Sequence, residues 1–346
     1  MPAPNRGRLN IREVARRAGV SHMTVSRVIN GSANISPETR AHVQAILDQL
    51  GFQPNAMARG LAQGRSRQVG LLIESSSHYG PMSTLRAMDV AARSAGYASL
   101  SFTVKSGSTA EMREGLDSLT AHDVAGLAII TSRVTTLAWL SGLRLPRATV
   151  LLGSPPLDPA DPAERTDLGR VWIDQQRGSR LAVEHLIAAG HRVIGHLAGP
   201  SDWFDAQWRH ATWEACLNDA GLTVPPVAMG DWHAQSGFEA SDELLQIPDL
   251  TAVFAANDQM ALGLIHGLSR RGVRVPEDIS VVGFDDQPDC GHFLPPLTTV
   301  HQDFETLGDA GITAFLAQLD GAGDGVRHHV EPHLVVRSST RPVLSR

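Results

Sequence analysis

The 346 residues, 42% of them hydrophobic and with a formal net charge of −6, exceed what one core usually organises, so two or three domains are expected. No apolar run is long enough to cross a bilayer, the leading "MPAPNRGRLN" has no signal-peptide core, and Cys216 and Cys290 stand apart with no CxxC, which excludes a disulfide scaffold and leads to the expectation of a cytoplasmic protein. The charge is unevenly spread: residues 1–67 hold ten arginines against Glu13, Glu38 and Asp48, a net +7 that leaves −13 for the rest, the footprint of a basic head for a polyanion on an acidic body.

In "IREVARRAGV", Ile11, Val14, Ala15 and Ala18 recur at helical spacing and predict an amphipathic first helix. Gly19 supplies a sharp turn, Ser21 caps a second helix across "HMTVSRVIN", and Val20, Val25 and Val28 face inward. His22, Met23, Ser26 and Arg27 are left on the outer, N-terminal part of that helix, where a recognition helix meets a major groove. A third helix follows in "SPETRAHVQAILDQLGFQP", with Ser36 as cap, Pro37 in the first turn and Gly51 as terminator.

The "VARRAGVS…TVSRVING" core, the "SPETR" helix start and "GFQPNAMARGL" occur in an order and spacing that resembles the head and hinge of the lactose-repressor (LacI/GalR) family. The resemblance implies that His22, Met23 and Arg27 read bases while Ser21, Thr24, Asn30 and Ser36 position phosphates. Of the readers, Arg27 has the chemistry to fork onto a guanine edge. The resemblance also implies a hinge helix from Asn55 to Gln63 that orders on operator DNA, with Leu61 as a wedge in the minor groove; Gly60 and Gly64 lower the helix propensity there. The head is assigned to residues 1–53, the hinge and linker to 54–67 and the body to 68–346.

From residue 68 the pattern changes to β-rich runs separated by helical segments, "QVGLLIE", "YASLSFTV", "GLAII" and "ATVLLG", which read as parallel strands with crossover helices. The Pro-rich "SPPLDPADPAERTDLG" interrupts the series, and a second series follows in "VIGHLAG", "VPPVAMGD", "TAVFAAN" and "ISVVGFD". The fold expected is α/β: an all-α helix-turn-helix head, then a two-lobed body like that of periplasmic sugar-binding proteins, each lobe a doubly wound parallel sheet. The first lobe is expected at about 68–160 and 300–325, the second at about 165–297 with part of 326–346, and the chain from "LTTV" onward, "PHLVVR" included, is expected to return to the first.

Ligands of such sheets collect at the carboxyl ends of the strands. Asn257 and Asp258 of "VFAANDQMA" stand there, as do Asp285 and Asp286 of "VVGFDDQPD"; Asp205 and Arg209 lie one helical turn apart in "WFDAQWRH". A carboxylate, an amide and a guanidinium converging on a cleft address the vicinal hydroxyls of a sugar in two-point fashion. Trp232 and Phe304 can offer aromatic faces to a sugar ring, and Trp203 and Trp208 enlarge the aromatic content nearby. The family resemblance runs on through "HLAGP", "ANDQMALG", "DISVVGFDD" and "PPLTTVHQDF", and implies that Arg209, Asn257, Asp285, Trp232, Gln302 and Phe304 fall on inducer-contacting positions. Two departures stand out. Gly153 occupies the place of a family aspartate after the fourth strand, and Glu74 replaces a serine, where it could supply a hydroxyl acceptor from the other wall.

Blander readings stand beside these. Asp285 and Asp286 can cap the next helix, Asp205 and Arg209 can be a surface pair, and Trp172 and Trp213 read as core. No GxSxG, GxxxxGK[ST] or HExxH occurs, "GAGDGV" lacks a flanking strand and helix, and His328, His329 and His333 read as exposed spacers, so no enzyme, metal or cofactor is expected.

The protein expected is a sequence-specific repressor that binds a pseudo-palindromic operator as a homodimer and is released by a saccharide inducer held between two lobes. The dimer surface is expected to include "MSTLRAMDVAARSAGY", Leu262 and Cys290 to Phe293; no leucine heptad accompanies "TRPVLSR", so a dimer is expected in place of a tetramer. A regulator that takes a purine as corepressor, and a sugar-binding protein with no DNA role, stand as alternatives.

Overall fold

Side-chain caps and left-handed glycines set the limits of the three N-terminal helices. In the computed structural model, which describes residues 10–29, 32, 34–52, 66–74, 78–104, 108–146, 148–321 and 325–343, α1 (Ile11–Ala18) starts where the Asn10 side chain accepts the Glu13 N–H. It stops at Gly19, whose φ of 62° is left-handed. Ser21 Oγ accepts the Thr24 N–H at 3.1 Å to open α2 (His22–Ile29). Ser36 Oγ accepts the Thr39 N–H at 3.2 Å to open α3 (Pro37–Leu50), which ends at Gly51. Val14, Ala15, Ala18, Val25, Val28, Val43 and Leu47 close one small core. Asn30, Asn55 and Leu61 lie outside the described residues.

The chain divides into two units, Met1–Arg67 and Gln68–Arg346. The second begins β1 (Gln68–Glu74), α4 (Tyr79–Ser94), β2 (Ala98–Val104), α5 (Thr109–Ala121), β3 (Gly126–Ile130), α6 (Val134–Ser141), β4 (Thr149–Leu152), β5 (Gly169–Ile173). It continues α7 (Gln175–Ala188), β6 (Ile194–Ala198), α8 (Phe204–Asp219), β7 (Ala228–Met229), α9 (Ala234–Leu244), β8 (Ala252–Ala255), α10 (Asp258–Arg270), β9 (Ser280–Val282). A short 3₁₀ turn precedes β10 (Thr299–His301), α11 (Phe304–Leu319), β11 (Arg327–Val330) and β12 (His333–Val335).

A parallel six-stranded sheet in the order β11-β5-β4-β3-β1-β2 makes the first lobe. A parallel four-stranded sheet, β7-β6-β8-β9, and the antiparallel β10–β12 pair make the second. The strands read as unbroken apolar runs because both faces of each sheet are covered. Val69, Leu71 and Ile73 face a core with Met88 and Phe315, while Leu72 faces another with Met112 and Leu119. In the second lobe Leu197 and Val253 likewise part from Ile194 and Phe254. The chain crosses between lobes at residues 174, 302–303 and 331–332.

The observed strand pairing corrects the expected lobe limits. β5 belongs to the first sheet, so the second lobe begins after residue 173 and not near 165, and β11 pairs with β5 in the first lobe. Conversely, "LTTV" and "PHLVVR" stay in the second lobe, where β10 and β12 pair. The physical reason is Arg170. This fully buried guanidinium, on the second residue of β5, donates to the carbonyls of Gly153 and Ser154 at 3.1 and 3.2 Å and pairs with Glu164 at 2.7 Å. It breaks the apolar signature of the strand and pins the Pro-rich segment to the sheet as a β4–β5 loop. β11, "RHHV", is an edge strand and reads as polar. Among the described residues no helix is long and apolar enough to cross a membrane.

Candidate functional site

On the first unit, Val25 and Val28 anchor α2 to its neighbours, which turns His22, Met23 and Arg27 outward; Met23 is 55% exposed. Thr24 and Ser26 are half-buried. Ser21 and Ser36 each spend an acceptor on a helix-opening N–H, and their hydroxyls lie 2.9 and 2.8 Å from Thr24 Oγ1 and Thr39 Oγ1. They therefore hold helix N-termini, with their outward N–H groups, in the geometry that suits a phosphate.

In the second unit a cleft lies between the carboxyl ends of the two sheets. It brings together Asp205, Arg209, Trp232, Asn257, Asp285, Gln302 and Phe304. Glu74 is not among its lining residues. Fully buried, it accepts the Thr136 hydroxyl and lies 3.4 Å from Arg133 Nε, and burial raises its carboxyl pKa. The expectation of an acceptor on the opposite wall is corrected accordingly.

Arg209 is 3% exposed, with its guanidinium 3.8 Å from the Phe284 ring centroid. Its Nε donates to Gln175 Oε1 at 2.9 Å and its Nη1 to the Ala256 carbonyl. Asp205 and Asp285 each place an oxygen 3.9 Å from it. Gln175 Nε2 donates to Gln302 Oε1 at 3.0 Å, and Gln302 Nε2 donates to Asp285 Oδ1 at 2.7 Å, which closes a buried chain of polar groups. Asp285 adopts a φ of 121°, sparsely populated for a side-chain-bearing residue. Burial pushes its carboxyl pKa upward, and the Arg209 guanidinium works against that rise.

Asn257 has a positioning role: its Oδ1 accepts the Met260 N–H at 2.9 Å to open α10 and its Nδ2 donates to the Trp232 carbonyl at 3.0 Å. Trp232 is thereby held at a φ of 76°, with Gly199 so close to the indole that a Cβ would come within 2.2 Å of it. The buried indole N–H groups of Trp203 and Trp232 have no acceptor among the described residues. Phe304 packs edge-on to Tyr79 at 5.8 Å.

The helix-cap reading of Asp286 gives way to ties with Arg337 at 2.7 Å and His301 at 3.0 Å. Trp213 is core, but Trp172 is half-buried and lines the cleft, which corrects its assignment. Ser154, Gln175 and Tyr79 also line the cleft and were not singled out in the sequence. Ser154 and Gln175 follow strand ends, so the rule that found Asn257 would have found Gln175 had "GRVWI" been read as a strand. Gly153 has a φ of 144° and a Cβ there would come within 2.1 Å of the Thr131 carbonyl, so no side chain fits. Asp174, His329 and Glu331 bring ligand atoms within 4.8 Å of one another, an exposed to half-buried grouping that could hold a metal.

Residues 10–55 match the profile of bacterial regulatory proteins of the lacI family, and residues 183–340 that of the periplasmic binding protein-like domain. The chain is 33% identical over 331 residues to the lactose operon repressor of Escherichia coli (strain K12), covering 95% of this chain and 89% of that one. The chain belongs to the LacI family. As a LacI-family protein it is a DNA-binding transcriptional repressor with a helix-turn-helix head. It is 31% identical over 346 residues to the HTH-type transcriptional repressor PurR of Haemophilus influenzae (strain PittEE), covering 96% and 99% of the two chains. The crystal structure of the lac repressor dimer bound to operator and the anti-inducer ONPF superposes with a TM-score of 0.83 at 31% identity, over 96% and 99% of the chains.

Proposed function

We propose that this LacI-family repressor binds a pseudo-palindromic operator as a homodimer and is released from it by a saccharide held in the cleft. The observation that carries the effector class is the placing of Arg209 between Asp205 and Asp285 beside Trp232, Trp203 and Phe304. Two carboxylates supply acceptors for several hydroxyl donors at once, the guanidinium supplies paired donors, and the aromatic faces suit the C–H surface of a sugar ring. The lactose operon repressor and the lac repressor complex support the same reading. His22, Met23 and Arg27 would read bases, with Ser21, Thr24 and Ser36 at phosphates; Asn30, Asn55 and Leu61 complete the proposed DNA contacts.

A purine acting as corepressor is the second reading, and the relative named PurR favours it. Thermal shifts with mono- and disaccharides and with purine bases test the class, because a ligand that binds only the folded state raises its melting temperature. Anisotropy with an operator selected by the protein from random duplexes then tests the sign. The expected result is a shift with a saccharide that also releases DNA. A purine that shifts the melt and tightens DNA binding, with all sugars silent, would sink the saccharide reading.

A further inference from the structure

Beside the cleft lies a second cavity, an annex that shares Ser154, Trp172 and Gln175 with it. Its roof is the Pro-rich loop, with Pro155, Pro156 and Pro159, and the loop is held rigid by the buried Arg170–Glu164 pair. Two indoles, Trp172 and Trp208, face the space, and Gln176 and Arg327 add polar groups. Trp208 stands on α8 of the second lobe, and its Nε1 donates to the Pro155 carbonyl of the first at 2.8 Å. The annex is therefore walled by both lobes, like the cleft beside it.

We propose that the annex is a second ligand subsite, one that takes the second ring of a di- or oligosaccharide whose first ring sits against Asp205 and Arg209. This rests on the saccharide reading above. A space lined by two indoles together with polar side chains suits a ring with an apolar face and hydroxylated edges, and the common wall of Ser154, Trp172 and Gln175 sets the two rings of a linked ligand side by side. The first ring fits the hydrogen-bonded network around Arg209, and the second adds contact area without repeating the entropic cost of a separate binding event.

Calorimetry on the full chain with glucose, galactose, cellobiose, lactose and their trisaccharide homologues tests the assignment. At least one disaccharide is expected to bind about tenfold or more tightly than its own monosaccharide. Thr166→Trp fills the annex from its exposed edge and Trp208→Ala strips one wall; each is expected to erase that gain, with monosaccharide affinity retained in Thr166→Trp. Equal mono- and disaccharide affinity, or a gain that survives Thr166→Trp in a protein with an unchanged melting temperature, overturns the annex and leaves the saccharide reading intact. Silence toward every sugar, with a purine base binding, overturns both.

Discussion

Arg209 keeps its charge at 3% exposure by leaning on Phe284, Gln175 and the Ala256 carbonyl, with Asp205 and Asp285 on either side. Leaving one member of such a set unpaired costs more than removing the set, because the survivors are already dry. Asp285→Asn removes the charge while keeping the side-chain shape, since asparagine is nearly isosteric with aspartate. Effector response is expected to vanish while operator affinity in anisotropy stays within about twofold, a shift of roughly 0.4 kcal/mol. A variant that still responds at unchanged effector concentration would remove Asp285 from the binding set.

The second lobe carries an acid-sensitive contact between elements. His196 on β6 is wholly buried, its Nδ1 2.9 Å from the Phe254 carbonyl of β8, with its ring stacked 5.0 Å from Phe254 and 5.2 Å from Trp213 of α8. Burial pulls its pKa down to about 3. The folded value lies below the unfolded one, so the unfolded chain takes up the proton first. The stability this contact contributes is complete above about pH 6.5 and declines as pH falls, by about 1.4 kcal/mol per pH unit. His196→Phe, which keeps the stack, is expected to flatten that decline in urea melts at pH 7, 6 and 5; parallel profiles for both proteins would refute the assignment. Elements of this lobe were largely legible, since β6, β8 and β9 are apolar runs covered on both faces. β5 and β11 were not, because a buried arginine and an edge position remove the apolar pattern that marks a strand. The same blind spot hid Gln175 and miscast Trp172, whereas Asn257 and Asp285 followed strands that could be read. Glu74 was misplaced for a different reason: sequence puts it at a strand end but cannot say that Thr136 and Arg133 enclose it.

At the scale of the whole second unit, the lobes are also joined by a seam at the rim of the cleft. Arg133 of the first lobe pairs with Asp202 of the second, and the backbone N–H groups of Phe204 and Val134 donate across the same seam to Ser132 and Asp202. The two ends of this seam are unequal, for Asp202 is 42% exposed at its side chain and Glu74, the other partner of Arg133, is 1% exposed. Asp202→Ala should therefore cost no more than about 1 kcal/mol, while Arg133→Ala strands a buried carboxylate and should cost about 3 kcal/mol at pH 8. Because burial raises the Glu74 pKa above its unfolded value, the stranded group takes up a proton as pH falls, and the loss should shrink toward pH 5. Chemical melts of both variants at the two pH values decide this; equal losses would mean that Glu74 is not held by Arg133.

The bond between Gln175 and Gln302 joins two of the three strands of chain that pass from lobe to lobe, and the same two side chains hold Arg209 and Asp285. On the proposed reading the distance from effector to the strands that connect the lobes is thus one hydrogen bond, with no relay through the interior. Occupancy and response then become separable by chemistry alone. A compound that fills the aromatic side of the cleft but leaves the two glutamines undisturbed would compete with the natural effector and switch nothing, a silent antagonist for which the molecule already has room.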